Sequence, residues 1–144
     1  MRILLDTSVL VAGMVESHPA HERAFPRLQR VKAGEDSGVV AAHSVAELYA
    51  ILTTLPIRPR VSPTDARRLI ERNVLDTCQI VPLSDADYAD VISHLASTGV
   101  AGGATYDALI LHAATKVEVE EIVTLNERDF RRVYSALSDK ISAP

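Results

Sequence analysis

A chain of 144 residues suits one domain around one core, and 47% hydrophobic with 24% charged residues places it among globular sequences rather than disordered or fibrous ones. A formal net charge of −4 excludes a protein held to nucleic acid by bulk positive charge, although a cation in an acidic pocket would carry local charge of its own. The longest apolar runs, residues 9–12 and 38–42, are too short to cross a bilayer. Asp6 interrupts the opening apolar run, so the expectation is a chain without a leader that stays in the cytoplasm. The single cysteine, Cys78, excludes an internal disulfide and a cysteine-based zinc site, and its apolar setting predicts a buried thiol.

Taken in order, short apolar runs alternate with amphipathic stretches. Residues 2–5 read as a buried strand, and 7–15 as a helix starting directly after it. Spaced apolar positions Ala24, Leu28 and Val31 predict a helix over 18–32, ended by Gly34. Residues 38–42 form the second strand. Ser44 then caps a helix to about Thr54, with Val45, Leu48, Tyr49 and Leu52 on one face. Pro56, Pro59 and Pro63 mark a loop, and 63–75 reads as a helix with Pro63 early, where its missing N–H does no harm. A third strand covers 79–82. Ser84 caps an acid-led helix over 84–97, and Gly99, Gly102 and Gly103 turn the chain into an apolar helix over 105–115. A fourth strand at 122–125, a short helix at 127–133 and an edge strand at 134–136 complete the pattern. Strands alternating with helices imply a three-layer α/β/α sandwich, one domain over 1–144, with a mainly parallel four- or five-stranded sheet. Such sheets bind ligands at the carboxyl ends of their strands, near the switch in strand order.

Four acids fall at those ends. Asp6 follows the first strand. Glu47 lies in the first turn of the helix after the second strand. Asp107 lies in the first turn of the helix before the fourth strand, and Asp129 comes just after that strand. Ionised carboxylates gathered in one pocket repel one another, and a hard cation such as Mg²⁺ or Mn²⁺ removes the repulsion. Each acid also has a purely structural reading. Ser44 with Glu47, and Asn126 with Asp129, fit capping boxes; Asp6 fits a helix N-cap; Asp107 suits the helix dipole.

The wording of these segments favours the metal. Ile3-Leu4-Leu5-Asp6-Thr7-Ser8-Val9-Leu10, Ser44-Val45-Ala46-Glu47-Leu48, Thr105-Tyr106-Asp107-Ala108-Leu109-Ile110 and Thr124-Leu125-Asn126-Glu127-Arg128-Asp129-Phe130 span nearly the whole chain. In their order and separation they resemble the PIN-domain family, and within it the VapC-type toxins of type II (VapBC) toxin–antitoxin systems. The resemblance implies a Mg²⁺- or Mn²⁺-dependent endoribonuclease. It assigns metal binding and catalysis to Asp6, Glu47, Asp107 and Asp129, with Asn126 as an alternative last ligand. It gives Thr7 or Ser8 a hydroxyl role behind the ligands. Tyr106, from its place beside Asp107, is a candidate substrate contact. It also implies a VapB-type antitoxin, an RNA substrate, a homodimer, no membrane, and DNA contact only through the antitoxin.

Other features read as structural. The histidines (His18, His21, His43, His94 and His112) form no ligand motif; His43 falls near the pocket rim and His112 in the core. Asp85, Asp87 and Asp90 suit a helix start at the surface. The remaining tyrosines read as packing residues. The arginines at 58, 60, 67, 68 and 72, and at 128, 131 and 132, read as solvated helix faces, although helices between Val45 and Leu75 could also hold the dimer or the antitoxin. Haloacid-dehalogenase phosphatases also open with a strand and an aspartate, but they want a second aspartate where Ser8 stands. Receiver domains want an acidic pair, and Asp6 is alone. A PIN fold without activity, serving as a binding module, is the remaining alternative.

Overall fold

Strand β1 (Arg2–Leu5) shows how the sheet of this computed structural model, which describes residues 1–144, is covered. Ile3 and Leu5 enter one apolar cluster and Leu4 enters the other. That is the period-2 alternation of a strand buried on both faces. Strand β2 (Ser37–Ala41) repeats it, with Val40 on the first face and Val39 and Ala41 on the second. Strand β4 (Glu121–Val123) divides Val123 and Ile122 in the same way. With β3 (Cys78–Val81) and β5 (Ile141–Ser142) they form a five-stranded parallel sheet in the order β3-β2-β1-β4-β5.

The helices sort onto the two faces. The first cluster takes the buried sides of α1 (Thr7–Met14), α2 (His21–Lys32), α3 (Ala42–Thr54) and α4 (Pro63–Ile70). The second takes α5 (Asp85–Thr98), α6 (Ala104–Lys116) and α7 (Glu127–Val133). The α/β/α sandwich expected from the alternation is therefore the one observed. Helix α1 buries Thr7, Val9, Leu10, Val11, Ala12 and Gly13, nearly its whole circumference, because α2 and α3 both pack on it. No helix is long and apolar enough to cross a membrane.

Strand order creates the site. The chain lays β1, β2 and β3 side by side, then returns across β1 to place β4 on its other edge. The carboxyl ends of β1 and β4 thus flank the point where the winding reverses, the usual crevice of such sheets. Because α6 leads into β4, it runs against the strands, and its N-terminus lies at that same edge.

Several boundaries differ from the sequence reading, each for a local reason. Helix α2 starts at His21, because His18 folds into a turn in which its Nδ1 accepts the Ala20 N–H and its carbonyl accepts the His21 N–H. Helix α3 starts at Ala42, so Ser44 is a fully buried residue inside it rather than its cap, and its hydroxyl has no partner. Ser62 caps α4 through the Asp65 N–H, and beyond Ile70 the helix widens into a π-helical turn, Glu71–Leu75, closed by the Asp76 N–H on the Glu71 carbonyl. The expected edge strand at 134–136 is absent. A 3₁₀ helix, Ser135–Lys140, occupies that stretch and delivers β5 to the edge of β4. Ser84 and Asp87 do form a capping box on α5, whereas the box expected at Asn126 does not form. Tyr49 and Tyr88 are exposed rather than packed.

Cys78 is half-buried, not a core thiol, and burial raises its pKa. It pairs in register with Gly38, where a Cβ would come within 2.7 Å of both Cys78 Sγ and Val31 Cγ1. Neither atom is the end of a long side chain that can swing away. Gly38→Ala is therefore expected to destabilise the fold by ~1–3 kcal/mol in urea unfolding; an unchanged midpoint would show that α2 shifts freely on the sheet.

Candidate functional site

Asp6 is 3% exposed at the carboxyl end of β1, a costly place for a carboxylate. It occupies the N-cap position of α1, yet its side chain makes no cap bond. Two hydroxyls hold it instead. Ser8 Oγ donates to Asp6 Oδ2 at 2.6 Å, and Thr124 Oγ1 donates to the same oxygen at 2.8 Å. Each hydroxyl is itself positioned by the segment after β4: Ser8 Oγ accepts the Leu125 N–H and Thr124 Oγ1 accepts the Asn126 N–H. Burial raises the Asp6 pKa, these hydrogen bonds oppose the rise, and the charge of Glu47 adds to it.

Glu47 sits one turn deeper into α3 than the sequence suggested, because the helix begins two residues before Ser44. It therefore takes no part in capping. Thr7 Oγ1 donates to its Oε1 at 3.1 Å. His43, one turn earlier on α3, brings Nε2 within 3.4 Å of the same oxygen, without the geometry of a hydrogen bond. Its ring lies against that of Tyr106.

Asp107, in the first turn of α6, lies within electrostatic reach of the other three acids. Its pKa is pushed up to about 6, first by burial, then by the charges of Asp6, Asp129 and Glu47, with Arg132 only partly offsetting them. The chain thus brings together all four predicted acids from four separate segments. Asp129, in the first turn of α7, is the exposed member of the set. Asn126 is exposed at the N-cap of α7 and makes no cap bond. Thr7 and Ser8 each hydrogen-bond one of the acids. Thr124 was given no role from sequence; its signal was a small hydroxyl residue ending a strand beside Asn126.

The donor set is all carboxylate oxygen, two of its members carry raised pKa values, and only Arg132 acts as a counter-cation on Asp107. Those properties fit a hard divalent cation. The tighter cluster in the molecule lies elsewhere: Asp87, Asp90 and His112 have ligand atoms within 4.8 Å of one another. There the cationic role is already filled. Asp87 is held by Lys116, by His112 at 3.1 Å and by the Ser84 N–H, which together depress its pKa. Asp87 is therefore a tether between α5 and α6, and His112 is a partner in it rather than an isolated core histidine.

A parallel α/β/α sheet with an acid pocket at its winding reversal defines a class, and the comparisons agree with it. Residues 3–136 match the PIN domain, and the chain belongs to that family. Ribonuclease VapC40 of Mycobacterium tuberculosis is 36% identical over 129 residues, 89% of this chain and 87% of that protein. Ribonuclease VapC27 of the same organism is 31% identical over 118 residues, 82% and 80% of the two chains. In structure, the chain is similar to VapBC2 of Rickettsia felis, crystallised with a DNA fragment from its promoter. The TM-score is 0.71 at 18% identity, covering 100% of this chain and 99% of that one. The family and fold read from the four motifs are borne out.

The Asp107 pKa has a consequence for stability. A folded-state value of about 6, above the ordinary 3.8, means that the native protein prefers the neutral acid. Its contribution is complete below about pH 4 and is lost as pH rises through about 6. In EDTA, Asp107→Asn should melt ~3 °C or more above the parent at neutral pH, and the gap should close on acidification. Mg²⁺ should stabilise the parent but not the variant. A parent whose melting is insensitive to pH and Mg²⁺ would contradict the shared pocket.

Proposed function

We propose that this protein is the toxin of a type II toxin–antitoxin pair, an endoribonuclease that hydrolyses RNA phosphodiester bonds at the pocket of Asp6, Glu47, Asp107 and Asp129. The observation that carries the reading is the convergence of Asp6, Glu47 and Asp129 on Asp107. The family membership and the ribonuclease relatives support the same activity.

Asp6, Asp107 and Asp129 are the residues we assign to holding a divalent cation, with Mg²⁺ the expected ion and Mn²⁺ a substitute. When bound, that ion supplies Lewis acidity at the phosphate and a water of lowered pKa. The chain's own residues do the rest. Ser8 and Thr124 hold Asp6 through one oxygen, which orients the carboxylate and opposes the rise in its pKa caused by burial. Glu47, fixed at Oε1 by Thr7, orients the attacking water and takes its proton. Water rather than the ribose 2′-hydroxyl is the nucleophile, so the products carry 5′-phosphate and 3′-hydroxyl ends. We assign to a small antitoxin the blocking of the pocket and the DNA contact; the structurally similar VapBC2 of Rickettsia felis is bound to a DNA fragment from its promoter.

Purified, partner-free protein should cut total cellular RNA at discrete places with Mg²⁺ or Mn²⁺, and not in EDTA. Asp6→Asn and Asp107→Asn should each lose activity by on the order of 100-fold or more. Thr124→Val, which frees Asp6 Oδ2 from one of its two hydroxyls, should weaken metal affinity or activity by ~10–100-fold. Folded protein that cuts nothing under either metal would replace this reading with a non-catalytic binding module.

A further inference from the structure

Tyr106 is 54% exposed, although it immediately precedes Asp107. Its ring is not loose. It lies almost parallel to the His43 imidazole, with centroids 5.2 Å apart and an interplanar angle of 3°. His43 belongs to the first turn of α3 and Tyr106 to the first turn of α6, so the stack bridges the two helices that carry Glu47 and Asp107. His43 Nε2 is buried 3.4 Å from Glu47 Oε1 without a hydrogen bond, and the face of its imidazole lies on the Tyr106 ring. An exposed aromatic ring held flat by a second ring is pre-organised to receive a third.

The chain has four tyrosines, two phenylalanines and no tryptophan. Among its exposed rings, Phe25, Tyr49, Tyr88 and Tyr106, Tyr106 alone is next in sequence to one of the four pocket acids. A protein of net charge −4 also needs some grip on RNA other than bulk attraction. Base–aromatic stacking provides it and works for every base. It requires a base free of its own helix, which single strands and loops offer and duplexes do not.

We propose that the Tyr106–His43 stack is a platform for one unpaired nucleobase beside the scissile phosphate, with His43 acting as a positioning residue behind the ring. This rests on the nuclease reading above.

The test uses a single-stranded RNA oligonucleotide spanning a cut mapped on total RNA, with each nucleoside near the cut replaced in turn by an abasic one. Tyr106→Ala should raise KM ~10-fold with kcat little changed. Tyr106→Phe, which keeps the ring, should stay near the parent, and His43→Ala should fall between. For the parent, one abasic position should raise KM by a similar factor, and Tyr106→Ala should pay nothing further there. The ring is exposed, so melting of the variant should be unchanged. Equal KM for parent and Tyr106→Ala, or abasic penalties that multiply with the mutation at every position, would overturn the platform and leave the nuclease standing. No cutting by the parent would overturn both.

Discussion

A carboxylate buried at the end of the central strand sets the terms for the rest of this molecule. Burial to 3% exposure works against the charged form of Asp6, and the structure compensates in part. The compensation comes from Ser8 beside it in sequence and from Thr124 at the far end of the chain. The bond from Thr124 ties β4 to β1 at the one edge of the sheet where the winding reverses. Holding Asp6 and closing the sheet are therefore the same act. The segment that follows β4 is fixed in turn, because Leu125 and Asn126 give their N–H groups to those two hydroxyls.

From this anchor the pocket is assembled by topology. Helix α3 leaves β2 next to β1, α6 returns to the same edge before β4, and α7 leaves it afterwards. Helices α3 and α7 each bring an acid within electrostatic reach of Asp107, which α6 carries. The arrangement costs stability, since like charges are gathered with only Arg132 against them. The pocket acids suit a divalent cation, whereas Asp87 elsewhere is already paired with Lys116 and hydrogen-bonded by His112.

Much of this was legible before any coordinates. Asp6, Glu47, Asp107 and Asp129 could be picked because each stands at a strand end or an early helix turn, and the order of their motifs pointed to the family. The α/β/α layering followed from alternating apolar runs. What misled was local chemistry read in isolation. Ser44 and Glu47 have the spacing of a capping box, but α3 begins at Ala42 because the chain turns helical as soon as β2 ends, which places Ser44 in the core and Glu47 at the pocket. Asn126 and Asp129 have the same spacing, yet the Asn126 N–H is already given to Thr124 and its side chain makes no cap bond.

The sequence by itself determined the periodicities, the turn residues and the identity of the acids, because those depend on neighbours within a few positions. It could not determine that Thr124 reaches Asp6, that His43 lies flat on Tyr106, or that Asp107 is pushed up to about 6. Those facts depend on which helix starts meet at one sheet edge. Strand order decides that, and strand order is set by burying two apolar faces at once, a condition on the whole chain that no local stretch contains.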